Sequence, residues 1–431
     1  MKILIINQYA NNKGDRAILF FIVRELVRNG ILARDICVST NDRKPWMDSP
    51  VKEYANIRFI KWGWNGESKS PVRFLTRVSS GLKKRYYLHF CIPIVRLVVT
   101  HSWKLPFSFL FCSRDFKKAL RESDLTISTG GHHLTTILTG GDLSEQMYDM
   151  ALVLSMGKPL VLWAQSIGPL LFTKEKNMQL ACHILEKSKL IYLRDNQSKS
   201  VMPEELTHDA KVIRTYDSVF GLNDVTPTYI PPSRRNDRIG ISIYAAGKRT
   251  EVELNKYIQC FAYFIKQIVM DDHAIHFFPM ELKESVSDDR PLIYEIISAL
   301  DCETREKCLV VEADLETKPH LEEISKCRLF IGHKTHSVVF ALTVGTPILA
   351  ISYHPKTLEF IQQYHLEHFG IDDKILDATL LTSIVREMLS RIDDIGKMEY
   401  DKSAEYGAKV RSDFQGMLNT FKGNSVVRKD I

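Results

Sequence analysis

No stretch of the sequence reaches the roughly 18 consecutive apolar residues that a membrane-spanning helix needs. The opening run, Met1-Lys2-Ile3-Leu4-Ile5-Ile6, stops at once in Asn7-Gln8. It is too short for the apolar core of a secretory signal and reads as a first strand. A cytoplasmic protein is the expectation. Ordered cysteine spacing is missing too. The eight cysteines (37, 91, 112, 182, 260, 302, 308 and 327) form no Cys-x-x-Cys pair. Most have apolar neighbours and read as reduced core thiols, with neither a zinc site nor a disulfide framework indicated. Nor is one sign of charge in large excess: 58 Lys and Arg against 52 Asp and Glu leave a formal +6. That balance admits an anionic substrate or an anionic membrane surface and does not require nucleic acid. Repeats of fixed period and low-complexity tracts are absent as well.

What is present is an ordinary globular composition, 45% hydrophobic and 26% charged over 431 residues. That length suits two domains of about 200 residues better than one core. Lys2–Ile6 passes through the polar loop Asn11–Asp15 into helical spacing over Ala17–Asn29, which stops at Gly30. Strand, loop and helix in that order open a Rossmann-like half. Further apolar runs at Leu125–Ser128, Leu160–Ala164, Leu190–Leu193 and Val212–Arg214 alternate with helical stretches. Residues 223–238 hold three prolines and little periodicity, and read as a linker. The alternation then restarts with strands at Ile239–Tyr244, Ala274–Phe278, Cys308–Val311, Arg328–Ile331 and Pro347–Ser352. Helices are expected between them at Glu251–Met270, Pro291–Leu300, Leu321–Ser325 and Ser337–Val344. Leu380–Phe421 is helical, amphipathic and rich in charge. The expected fold is α/β, two Rossmann-like domains with parallel sheets facing a cleft. The expected domains are 1–225 and 226–380, with C-terminal helices at 381–431 packing back across them. Ligands bind at the carboxyl ends of parallel strands, so the loops after strands carry the candidate chemistry.

Residues 68–118 interrupt the alternation. From Lys69 to Lys118 there are eleven Lys or Arg and one acidic residue, Asp115, interleaved with Phe74, Tyr86, Tyr87, Phe90, Trp103, Phe107, Phe109 and Phe111. A basic, aromatic stretch too short to span reads either as an element lying on an anionic leaflet or as an insertion packed on its domain with solvated cations. It contains no recognised nucleic-acid-binding motif.

Four loops stand out. In Asn12-Lys13-Gly14-Asp15, Gly14 allows a tight turn and Asp15 suits an N-cap; the plainer reading is a turn and a cap, nothing more. In Ser128-Thr129-Gly130-Gly131-His132-His133, paired glycines let a ligand approach the backbone, or simply form a strand-to-helix turn. Arg194, directly after a strand, can aim its fork at a carboxylate or phosphate, or form a surface pair with Asp195 while Asp195 caps the next helix. Gly332-His333-Lys334-Thr335-His336-Ser337 carries the strongest signal. A strand ends there, a helix begins at Ser337, Lys334 places a cation beside the helix N-terminus, and His336 can exchange a proton near neutral pH. A second basic loop follows at His354-Pro355-Lys356. A lone histidine is more often structural, but here the strand end, helix start and cation coincide.

These pieces together resemble the polysaccharide pyruvyl transferase family, from Asn12-Lys13-Gly14-Asp15 to Tyr353-His354-Pro355-Lys356. The likeness runs in order through Gly130-Gly131, Ser166-Ile167-Gly168-Pro169, Arg194-Asp195 with Ser198, Asp217 with Phe220, Phe278-Pro279, Asp288-Asp289 and His336-Ser337. The resemblance implies a GT-B-like fold and transfer of the pyruvyl group of phosphoenolpyruvate onto two hydroxyls of a saccharide. The product would be a ketal in exopolysaccharide or capsule biosynthesis. It sets the family's Arg-Leu-His element on Lys334-Thr335-His336 and a donor-binding Arg on Arg194. Lys334 departs from the expected Arg, and a lysine pairs with phosphate as a point charge without the bidentate fork. His336 is then the catalytic acid and base. The substrate-binding candidates are Arg194, Lys334, Ser337, Lys356, Asn12, Asp15, Gly130 and Gly131. No metal or cofactor is called for, because these cations can stabilise the phosphate. The expected partners are phosphoenolpyruvate and a saccharide or lipid-linked acceptor, with peripheral contact to the inner face of the plasma membrane through 68–118 and no nucleic acid. Two rivals share these features: a GT-B glycosyltransferase using a nucleotide sugar, and a non-catalytic glycan-binding relative.

Overall fold

The computed structural model describes residues 1–63, 113–137, 139–225, 228–244, 249–283, 287–352 and 355–426. Of the stretch expected at 68–118, the part before Ser113 lies outside the described residues, as do Tyr353, His354 and the Lys356 side chain. No helix among the described residues is long and apolar enough to cross a membrane. Contacts group Met1–Ala10, Ile18–Ser218 and Val410–Ile431 into one compact unit, and Asn11–Ala17 with Val219–Lys409 into a second. Residues 11–17 join the second unit because Lys13 and Arg16 both pair with Asp314, at 2.9 Å each.

The first unit is built on a parallel sheet of β1 (Ile3–Gln8), β2 (Ile36–Thr40), β3 (Arg58–Lys61), β4 (Leu125–Ser128), β5 (Gly131–Leu134), β6 (Leu160–Ile167), β7 (Leu190–Leu193) and β8 (Val212–Arg214). The strand order is β3-β2-β1-β4-β6-β7-β8, with β5 pairing β6 off this path. Strands β1, β4 and β6 are buried along their whole length and are mostly apolar, as a sheet covered on both faces requires, with buried Asn7, Gln8 and Gln165 toward their carboxyl ends. The connecting helices are α1 (Lys13–Arg28), α2 (Arg114–Glu122), α3 (Glu145–Ser155) and α4 (Glu175–Lys187). Ser113 and Ser144 cap α2 and α3, accepting from Phe116 and Met147 backbone N–H groups. Helix α1 starts at Lys13, a full turn before the expected Ala17, and its cap is Asn12 rather than Asp15. The Asn12 Oδ1 accepts from the Gly14 and Asp15 N–H groups at 2.8 and 3.4 Å. Asp15 lies inside the first turn instead.

The second unit repeats the plan with β9 (Asn236–Ser242), β10 (Ala274–Phe277), β13 (Cys308–Val310), β14 (Cys327–Gly332), β15 (Ile348–Ser352) and β16 (Gly370–Asp372), all parallel in the order β13-β10-β9-β14-β15-β16. A small antiparallel pair, β11 (Leu282–Lys283) and β12 (Ser287–Asp288), stands apart from it. Its helices include α5 (Glu251–Met270), α6 (Arg290–Ser298), α7 (Thr317–Ser325), α8 (Thr335–Thr343), α9 (Pro355–Tyr364), α10 (Ala378–Ser390) and α11 (Ile392–Val426). A Thr250–Glu253 capping box starts α5 and Asp377 caps α10. Along α11, Tyr406 stacks edge-on with Phe220 and Tyr364 in the second unit. Phe414, past the division at Val410, packs on Phe21 and Trp163 in the first. In both units the strand order reverses beside the first strand, between β1 and β4 and between β9 and β14. A crevice opens at such a reversal because successive crossovers leave in opposite directions.

Candidate active site

In the second unit the reversal point is where β14 ends at Gly332 and α8 begins at Thr335, with Lys334 in the N-cap position. Lys334 is 7% exposed and fully engaged. Its Nζ lies 3.0 Å from Glu281 Oε2 and 2.8 and 3.0 Å from the two oxygens of Asp289. Asp289 is 0% exposed and also accepts from the backbone N–H groups of Met280 and Glu281 at 2.9 and 3.0 Å. Burial raises the proton affinity of its carboxyl above the ordinary range, although Lys334 and the two N–H groups oppose that shift. The expectation of a cation awaiting phosphate is thus modified: the ammonium already faces two carboxylates.

The two histidines of the loop are sorted by burial. His333 is fully buried, with Nδ1 2.9 Å from the Tyr257 hydroxyl and Nε2 3.2 Å from Asp373 Oδ1. Burial holds its ring below the ordinary imidazole range and pushes the Tyr257 phenol far up, so both are neutral. Tyr257 and His333 share one hydrogen bond at Nδ1, and Nε2 faces the Asp373 carboxylate. Arg249 completes the set, donating to both Asp373 oxygens at 3.1 Å and lying 4.2 Å over the Tyr257 ring. His333 is therefore a support of the loop.

His336, the second residue of α8, is half-buried. Its ring lies against Gly14 so closely that a Cβ on Gly14 would fall 2.1 Å from the His336 Cγ. Only glycine permits this approach. Asn12, which caps the helix carrying Gly14, also donates its amide to Glu281 Oε1 at 3.3 Å. His336, Lys334, Asn12 and Glu281 thus belong to one connected cluster. Ser337 turns inward: its hydroxyl donates to the Lys334 carbonyl at 2.7 Å and it is 0% exposed, so it braces the first turn of α8. Lys356 lies in α9.

Gly130, Gly131 and Arg194 fall in the first unit. What approaches Gly130 is the Ala164 carbonyl of the neighbouring strand, 3.0 Å from the place of a Cβ. Gly131 takes a φ of +149° at the start of β5. Arg194 is buried, and its partner is Asp217, not Asp195: NH1 donates to Asp217 Oδ2 at 2.6 Å and Nε to Ser166 Oγ at 2.9 Å. Asp195 instead accepts from the Ser198 N–H at 2.7 Å, ahead of the short helix Gln197–Ser200 whose N-cap position is Asn196. The expected donor-binding fork thus ties two loops of its own unit together.

Glu281, Tyr257, Arg249 and Asp373 had no assigned place before the structure, and Asp288-Asp289 only a place in the family likeness. Glu281 sits just beyond β10, next to the reversal point, and that was the available signal. The other pairings join segments far apart in sequence. Among the described residues no group of three His, Cys, Asp or Glu side chains is gathered as a metal ion would need.

Comparison with known proteins adds the following. Residues 12–355 match the family model described as polysaccharide pyruvyl transferase. The amylovoran biosynthesis protein AmsJ of Erwinia amylovora is 23% identical over 288 residues, covering 63% of this chain and 67% of that protein. Among solved structures, the S. aureus MnaA–UDP co-structure superposes with a TM-score of 0.57 at 11% identity, covering 97% of each chain. The UDP-GlcNAc 2-epimerase from Neisseria meningitidis bound to UDP-GlcNAc gives 0.56 at 12% identity, covering 97% of this chain and 100% of that one. At such identities these two likenesses speak for the fold of paired parallel α/β units.

Proposed function

The chain belongs to the polysaccharide pyruvyl transferase family, and from that membership we propose that it moves the pyruvyl group of phosphoenolpyruvate onto two hydroxyls of a saccharide, closing a cyclic ketal. Surface polysaccharide is the proposed product, in keeping with its likeness to an amylovoran biosynthesis protein. The observation that carries the reading is His336, half-buried at the start of α8, its ring on Gly14 and Lys334 two residues away. Protonation of the enol methylene carbon needs an acid, and the later hydroxyl attack needs a base; an imidazole there can serve as both. Lys334, at the same helix N-terminus, is the proposed phosphate cation, acting as a point charge. Lys356 is proposed as a second cation for the donor. Arg194 is proposed to act by tying the loop after β7 to Ser166 in β6 and to Asp217 beyond β8.

The test is incubation with phosphoenolpyruvate and a glycan extract of the cells that encode the chain, following released phosphate and the added ketal by mass spectrometry. His336→Ala should keep its fold and lose about 10²–10⁴-fold in rate. Tight UDP or CMP binding with no phosphate release would sink the proposal in favour of a nucleotide-sugar enzyme. Full activity of His336→Ala would remove the catalytic role.

A further inference from the structure

Lys334 brings one positive charge to two carboxyl groups, so with both ionised the space around its ammonium holds surplus negative charge before any ligand arrives. A phosphate dianion gains that ammonium only when one carboxylate moves aside or takes up a proton. The two are unequal. Asp289 is fully buried and pinned by two backbone N–H groups in addition to Lys334. The Glu281 side chain is 23% exposed, is longer by one methylene, and meets side-chain donors at Asn12 and Lys334. It is the one able to swing, and a phosphate beside it favours its protonated form. Glu281 also touches both halves of the site: Lys334 directly, and through Asn12 the loop whose Gly14 receives the His336 ring.

We infer that Glu281 is a second catalytic residue, which takes the proton of the first attacking hydroxyl and returns it to the departing phosphate. The inference rests on the pyruvyl-transfer reading above. In the first half, protonated His336 gives its proton to the methylene carbon, the double-bond pair becomes the new C–H bond, and C2 turns cationic. A lone pair of the acceptor hydroxyl bonds to C2 while its proton passes to the Glu281 carboxylate. In the second half, the bond from C2 to the phosphate oxygen breaks with its electron pair on that oxygen. The oxygen takes the proton from Glu281 and leaves as hydrogen phosphate. The second hydroxyl bonds to C2, and neutral His336 takes its proton. Both side chains end as they began, and one carboxylate beside the phosphate cation serves both transfers.

The experiment compares wild type with Glu281→Gln in phosphate release from phosphoenolpyruvate with the same glycan extract, alongside calorimetric titration with phosphoenolpyruvate alone. Glutamine keeps the size, removes the charge and keeps one of the two accepted hydrogen bonds, since its amide nitrogen can only donate. The expected result is a loss of about a hundredfold or more in kcat with donor binding no weaker than wild type. The acidic limb of the wild-type pH–rate profile should disappear in Glu281→Gln and persist in Glu281→Asp. Turnover of Glu281→Gln close to wild type, or an unchanged acidic limb, overturns the inference and leaves pyruvyl transfer intact. Loss of donor binding together with a lowered melting temperature in both variants overturns it in favour of a structural role. Absence of phosphate release by wild type removes the underlying reading, and the role of Glu281 with it.

Discussion

His333 lies between Tyr257 and Asp373 with no exposure, while His336 rests its ring on Gly14 at the head of α8. In the structure His333 is fully buried against Tyr257, while His336 is half-buried in the first turn of α8. Gly14→Ala tests the packing. Alanine favours a helix over glycine by up to about 1 kcal/mol. A methyl 2.1 Å from the His336 Cγ forces the ring away, and overpacking of that kind costs about 1–3 kcal/mol. The expected outcome is a modest net loss in a urea melt together with a large loss of phosphate release. Unchanged activity would show that the ring does not need that position. Arg194 makes the opposite case. Arg194→Ala removes the arginine from its ion pair with the buried carboxylate of Asp217, and breaking one side of such a pair costs about 3–5 kcal/mol. Denaturant unfolding should show that loss. A fall in donor affinity at unchanged stability would instead restore Arg194 as a ligand-facing fork. Its strand-end position is readable in the sequence, but its partner lies beyond β8 and is not.

Helix boundaries depended on which caps won. Asn12 opens α1 a turn earlier than the apolar spacing suggests, because its side chain satisfies two N–H groups that would otherwise be orphaned. The C-terminal helical region was legible as amphipathic, yet its division at Arg391 between α10 and α11 carries no proline or glycine to announce it. Nor does sequence show that one face of α11 from Val410 onward is core. Phe414 is fully buried, 4.8 Å from the Trp163 ring and 5.6 Å from Phe21. Phe414→Ala should therefore destabilise the first unit by about 3–5 kcal/mol, the usual range for emptying an aromatic site. A thermal melt measures this, and a change within experimental error would mean that the end of α11 is dispensable to that core.

Across the molecule, acid should unfold the protein through its buried histidines. Burial lowers His276 to about 4, holds His320 well below 6.5, and lowers His273 and His333 as well. The unfolded chain binds these protons from about pH 6.5 downward while the folded one does not, so stability falls as pH drops from there toward 4. Asp314 and Asp373, held below the ordinary carboxylate range, add a further loss at lower pH. Asp289 and Glu399 are raised by burial and run the other way, gaining protons in the folded state. With more groups in the first class, the melting temperature should be lower at pH 5 than at pH 7.5, and an equal or higher value contradicts this. The sequence by itself determined the alternation of strand and helix, and with it two parallel α/β units, the loops after their strands and the segment that holds His336. Those features follow from apolar period and turn chemistry, which act over a few residues. Tertiary structure alone decided that Lys334 meets Glu281 and Asp289, that His333 is spent on Tyr257 and Asp373, and that residues 11–17 belong with the second unit. Each of these depends on β9 lying beside β14 and on segments up to about 300 residues apart meeting at one sheet end, and no local spacing encodes where a distant carboxylate will arrive.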